Sequence, residues 1–217
     1  MLYLLVAEET LKTNQISKAK EHFLRFFEMF NFMGYEIYQF TQDQIYSKMA
    51  LILTIIDDDT LISVVLNDHK NEHKKFSYYD STLDINSFLY SLASEYIKQN
   101  KADKFFKYYK QITEESQTKQ LLVEACSQQT SEKISSFVYD EAMKMKNKSI
   151  ISLYYANQAK KLIMKKEYEK ALQLVEKMDL YYDKATIFTL LAIHWEKPNL
   201  GGATAPIIHR IIESCNQ

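Results

Sequence analysis

Turn-forming residues are scarce in this chain. Three glycines and two prolines in 217 residues leave too few turn signals for a many-stranded sheet, which points to an all-α fold. Arginine is equally rare, at Arg25 and Arg210. Nearly all positive charge therefore sits on lysine, which lacks the planar fork suited to phosphate and base-edge recognition. Neither sign of charge is in excess, 27 basic residues standing against 28 acidic ones. No whole-chain field exists to hold nucleic acid or an anionic membrane, so a membrane partner is not expected and nucleic acid is disfavoured. Two cysteines, Cys126 and Cys215, form neither a disulfide framework nor a metal set, and a cytoplasmic location is the expectation. Long apolar runs are missing as well. The start, MLYLLVAEETLK, has no basic residue before its apolar stretch and is far too short to span a bilayer. The stretch from Met49 to Ile56 ends in Asp57, Asp58 and Asp59 and reads as a buried helix segment.

What is present is helical periodicity. From Ser149 to Met178 the chain reads as two short helices folded back on each other, with Ala159, Leu162, Tyr168, Ala171, Val175 and Met178 on the faces that meet. The alanines let the backbones approach closely and the larger residues fill the gaps. Helices are expected over 1–13, 16–31, 42–55, 58–69, 84–99, 101–112, 117–129, 131–146, 149–165, 168–178, 183–197 and 204–214. Taken in pairs these are six hairpins. The first carries Ala7, Thr10, Ile16, Ala19, Phe23 and Phe26 at the same steps. The second fits poorly, with Ile52, Ile55, Leu61 and Val64 in step and then Asp68. Regularity returns with Ala93, Tyr96, Ala102, Phe105, Tyr109 and Ile112, weakens at Ala125, Gln128, Ile134 and Phe137, and ends with Ala192, Trp195, Gly201, Thr204, Ile208 and Ile211. The leading alanines 93, 125, 159 and 192 lie 32, 34 and 33 residues apart, a period that marks a solenoid. Three regions are expected: N-terminal hairpins over 1–70, an irregular connection over 71–84, and regular repeats over 85–217 with a capping helix, all within one continuous solenoid.

This pattern resembles the tetratricopeptide repeat, a helix-turn-helix unit of about 34 residues with small and aromatic residues at such offsets. The chain departs from that family where Tyr155 alone fills the early tryptophan-like position and Asp183 stands for the closing proline. The resemblance implies a right-handed superhelix of about six antiparallel hairpins whose inner groove, lined by the first helix of each pair, binds peptides or protein segments.

Candidate chemistry is thin. His69 and His73, four residues apart, would share a helical face as metal ligands, but their segment is hydrophilic and lacks an H-E-x-x-H arrangement. Asp57, Asp58 and Asp59 read better as a helix N-cap than as a cation site, because consecutive residues do not share a face. Cys126 with His194 or His209 lacks any flanking nucleophile motif, and no glycine-rich phosphate loop or G-x-S-x-G turn occurs. The doublets Phe105–Phe106, Tyr108–Tyr109, Tyr154–Tyr155 and Tyr181–Tyr182 read as core, one ring within each hairpin and one against the next. No catalytic residue, metal or cofactor is assigned.

The groove is the better candidate. Repeat geometry leaves Tyr90, Ser94, Ile97 and Lys98 outside the hairpin seams. Next come Lys119, Leu122, Val123 and Cys126, then Asn157, Lys160, Ile163 and Met164, and finally Thr189, Ile193 and Lys197. One lysine per repeat beside apolar and small polar residues suits a protein or peptide segment bearing acidic groups. The expected function is a non-catalytic protein-interaction module, an adaptor, scaffold or chaperone, with self-association open to it. A repeat-based RNA binder and an unrecognised helical enzyme are the alternatives.

Overall fold

The computed structural model describes residues 2–33, 42–72, 84–128 and 130–195, with the side chains of 31–33, 42 and 68–72 left aside. The described residues form eleven helices and no strand. In order they are α1 (Leu2–Lys12), α2 (Ile16–Met33), α3 (Gln42–Ile56), α4 (Asp59–Glu72), α5 (Ile85–Lys98), α6 (Ala102–Tyr109), α7 (Glu115–Ser127), α8 (Glu132–Lys144), α9 (Lys148–Met164), α10 (Tyr168–Val175) and α11 (Tyr181–His194). The all-α expectation and eleven of the twelve expected helices are met. The twelfth, 204–214, lies outside the described residues, as do His73 and His209.

With so little glycine, the chain turns by another device. Asn14, Asn100, Lys146 and Lys166 each sit in the left-handed region, with φ of 56°, 56°, 51° and 61°. Each follows a helix end, and the hydrogen-bond pattern is the same at all four. At the end of α9, Lys166 N–H donates to the Ile163 carbonyl at 2.9 Å and Glu167 N–H to the Leu162 carbonyl at 2.9 Å. These crossed bonds satisfy carbonyls that the helix end would otherwise orphan, and they reverse the chain within two residues. N-caps then restart helices: Asp84 accepts from Asn86 N–H and Asn147 accepts from Ile150 N–H, each at 3.1 Å. Asp58 does the same for α4, accepting from the Thr60 and Leu61 amides at 2.9 and 3.1 Å.

The chain divides into two compact units, Met1–Leu121 and Leu122–Gln217, and the division falls within α7. In the first unit α1 packs on α2, α5 on α6, and α3 lies against α1, α2 and α5. Phe23, Tyr46, Met49, Leu53, Ile62, Phe88, Leu92, Tyr96 and Phe105 are all sealed from solvent. Burial of each large apolar side chain contributes roughly 1.5–3 kcal/mol before the loss of chain entropy is set against it. In the second unit α8 and α10 pack on α9, and α11 lies against both α9 and α10. One apolar cluster joins Ala156, Ala159 and Ile163 of α9, Ala171 and Val175 of α10, Met178, and Ile187 and Leu191 of α11. Tyr168 and Trp195 stack at its edge with ring centroids 5.6 Å apart.

Several expected core positions turn outward. Ile16, Ile55 and Val64 are 45%, 44% and 48% exposed, while Leu53, Ile62 and Val65 fill the core of the second hairpin region. The run MALILTII is apolar on every side, so its sequence carries no single stripe from which to read a face. Ala192 is exposed, unlike Ala93, Ala125 and Ala159, which are buried. The doublet Tyr181–Tyr182 is also no core pair, its rings being 58% and 82% exposed.

Candidate functional site

The first helices of the pairs were expected to present a binding surface, and each unit places those residues differently. In the first unit, Tyr90 is half-buried and Ser94 is buried, so Ser94 offers a partner little surface. Lys98 is exposed, with its ammonium 2.5 Å from Glu95 three residues back. Lys119 lies 2.6 Å from Glu115, one helical turn earlier. Exposed pairs of this kind are screened by solvent, add little to stability and yield readily to a better acidic partner.

In the second unit, Val123 and Met164 are 42% and 75% exposed, a large apolar surface for isolated positions. Asn157 is half-buried and donates to the Leu153 carbonyl at 3.1 Å. Lys160 is half-buried and makes no ion pair among the described residues. Thr189 is exposed and donates its hydroxyl to the Ala185 carbonyl at 2.9 Å. Lys197 lies outside the described residues.

Four groove positions are core instead. Ile97, Leu122, Cys126 and Ile163 are only 1%, 0%, 8% and 5% exposed. The helices α5 and α9 are covered on more sides than a single hairpin seam requires, because α5 meets α3 as well as α6, and α9 meets α8 and α11 as well as α10. A two-helix pattern in the sequence registers only the nearest of those contacts.

Asn157 borders a shallow cavity that it shares with Cys126, Thr130, Ser135, Tyr154 and Lys161. Its volume of about 10 Å³ has room for one water and nothing larger. Burial pushes the Cys126 thiol up to about 12, against a weaker opposing pull from Lys161. A thiol that keeps its proton at neutral pH is not a nucleophile. Tyr154 of this lining packs with two further tyrosines, Tyr139 and Tyr155. The Tyr139 and Tyr154 rings are 4.9 Å apart, and the Tyr139 and Tyr155 hydroxyls share a hydrogen bond at 3.1 Å. That bond, with burial, raises the Tyr155 hydroxyl to about 12.

The densest charge lies in the first unit, at the turn between α3 and α4. Asp57, at φ 55°, pairs with Lys101 at 3.1 Å and Lys104 at 3.5 Å, and Asp59 pairs with Lys104 at 2.6 Å and Lys107 at 3.3 Å. Asp58 pairs with Lys20 at 2.5 Å. Below them Tyr96 and Tyr108 stack in parallel at 5.6 Å, with Lys107 5.2 Å from the Tyr108 ring. Desolvation first raises both hydroxyls, followed for Tyr96 by Tyr108 and then Asp57 and Asp59, and for Tyr108 by Asp59. Asp58 caps α4, and all three acids are matched by lysines. Among the described residues no group of three or more histidine, cysteine or acidic side chains is placed to hold a metal ion, and no helix is long and apolar enough to cross a membrane. The histidine pair at 69 and 73 lies outside the described side chains.

No family model, curated protein or solved structure matches this chain.

Proposed function

We propose that this chain is a tetratricopeptide-like α-solenoid that acts as a non-catalytic protein-interaction module. The side-by-side packing of alternate helices supports this reading: α1, α3 and α5 in the first unit, α9 and α11 in the second, with α2, α6 and α10 each packed on its own predecessor. Within each unit these helices lie side by side, and the buried Ala93, Ala125 and Ala159 recur at intervals of 32 and 34 residues. On the first unit Tyr90, Lys98 and Lys119, and on the second Val123, Asn157, Lys160 and Met164, offer apolar contact and positive charge. The fitting partner is an extended or helical protein segment carrying acidic groups. RNA is the weaker alternative, because the net charge is −1 and arginine is confined to two positions.

Affinity capture from the native host, with the intact chain and with Lys98→Glu plus Lys160→Glu, tests the reading. A protein partner should be held by the intact chain and lost from the variant at an unchanged melting temperature. Equal capture by both would remove these lysines from the site. Capture that disappears on nuclease treatment would replace the reading with RNA binding.

A further inference from the structure

The chain is close to neutral as a whole but not along its length. Between Met143 and Lys170 stand eight lysines and two acidic residues, Glu167 and Glu169, a local net charge of +6. The helix at the centre of this stretch, α9, carries three lysines and no acid. Neutralising partners reach only some of these cations. Lys144 pairs with Glu141 at 2.6 Å, Lys148 with Asp179 at 3.7 Å and Lys170 with Glu167 at 2.5 Å. Lys161 lines the small cavity beside Cys126. Lys160, Lys165 and Lys166 make no ion pair among the described residues, Lys165 acting on Glu167 only at longer range. Between them in sequence stands Met164, which is 75% exposed.

Lysine gathers at helix ends for two ordinary reasons, and neither accounts for this set. The first is to bond orphaned carbonyls, but here backbone amides already do so: Lys165, Lys166 and Glu167 N–H donate to the Lys161, Ile163 and Leu162 carbonyls at 3.2, 2.9 and 2.9 Å. The second is the helix dipole, which Lys161 in the last turn already opposes and which gives no reason to expose a methionine. We propose that the C-terminal end of α9 is where the second unit holds a partner protein segment, one large apolar side chain resting on Met164 and two or more flanking carboxylates meeting Lys160, Lys165 and Lys166. This contact rests on the interaction reading and goes beyond it in placing the acidic groups. A carboxylate arriving at Lys98 or Lys119 must displace Glu95 or Glu115, whereas one arriving at these three lysines displaces nothing. A nucleic-acid strand fits less well. The Tyr139, Tyr154 and Tyr155 rings are engaged with one another, with Lys177 5.8 Å over the Tyr155 ring, so they are not open to bases, and no arginine lies in the stretch.

Fluorescence anisotropy with the full chain tests this against three labelled probes: a peptide of about twelve residues with glutamates around a central leucine, the same peptide with glutamine for glutamate, and a uridine strand of equal length. The glutamate peptide should bind about tenfold more tightly than its glutamine counterpart. Lys160→Gln with Lys165→Gln and Lys166→Gln should weaken it by about tenfold, and Lys98→Gln with Lys119→Gln by less than about twofold. Met164→Ser should weaken it by about fivefold at low and high salt alike, while the lysine effect shrinks as salt rises. Should the triple lysine variant fold poorly, Lys165→Gln with Lys166→Gln, both exposed, replaces it, with a loss of about threefold expected. No loss from the α9 lysines, or an equal loss from the Lys98 and Lys119 pair, would overturn the placement and leave the interaction reading standing. Binding indifferent to Met164 would overturn it too, as unspecific attraction of charge. Tighter binding of the uridine strand, lost with the same lysines, would replace it with nucleic-acid binding. If no peptide binds while a protein partner is still captured, the α9 contact is dismissed and the interaction reading stands; if neither occurs, both fall.

Discussion

Tyr46 and Tyr96 are both sealed in the first unit, yet their hydroxyls are in different positions. The Tyr46 hydroxyl accepts the Asp84 N–H at 2.8 Å, while the Tyr96 hydroxyl makes no hydrogen bond of normal geometry among the described residues and lies under the negative field of Asp57 and Asp59. Removing a satisfied partner costs about 0.5–1.5 kcal/mol, whereas removing an unsatisfied buried group costs little or stabilises. Tyr46→Phe should therefore lower the midpoint of urea unfolding, and Tyr96→Phe should leave it unchanged or raise it. A loss of equal size in both would contradict the geometry. Lys166 gives a second contrast. A side chain with a Cβ held at φ 61° is disfavoured by about 1–2 kcal/mol, and glycine returns only part of that through the unfolded chain. Lys166→Gly should stabilise by about 0.5–1 kcal/mol in the same assay. Asn100→Gly should gain less, because asparagine tolerates the left-handed region.

At the level of the element, the turn between α3 and α4 is held to α2 and α6 by charge. Lys20 and the Leu61 and Thr60 amides hold the Asp58 carboxyl below its ordinary range, and Lys104 with Lys107 does so for Asp59. With both native values depressed, the unfolded chain binds more protons as the pH falls. The contribution is whole above about pH 4 and is lost as the pH drops through the lower native values. Thermal melts at pH 6 and pH 3 should show a smaller acid loss for Asp59→Asn than for the parent chain, and added salt should narrow the difference. An identical acid loss would mean that these pairs contribute nothing. How far such elements can be read from sequence differs along the chain. The ends of α5, α9 and α10 lie within three residues of their expected bounds, because Asp84, Asn147 and the alanine steps mark them locally. The buried face of α3 was not legible, since Ile52, Leu53, Ile55 and Ile56 offer apolar surface in every direction and only packing on α1, α2 and α5 selects among them. Of the candidate positions, Lys98, Val123 and Met164 are exposed, as their helical spacing predicts. The burial of Ser94, Ile97 and Leu122 was not legible, because it depends on neighbours that a two-helix pattern does not encode.

For the whole molecule, the proposed solenoid and a chain folded about one shared centre differ in how damage spreads. In stacked hairpins each repeat leans only on its neighbours, so stability is a sum of local terms. Ala159 is fully buried where α9 and α10 approach closely, and Ala159→Leu would overpack that seam at a cost of about 1–3 kcal/mol. In a solenoid, native-state hydrogen exchange of this variant should quicken in α9, α10 and α11 and leave the amides of α1, α2 and α3 near their original protection. Around a single centre the loss would appear in every helix alike, because one cooperative transition would govern them all. Uniform loss of protection would therefore leave the repeat-based groove, and the lysines assigned to it, without a foundation.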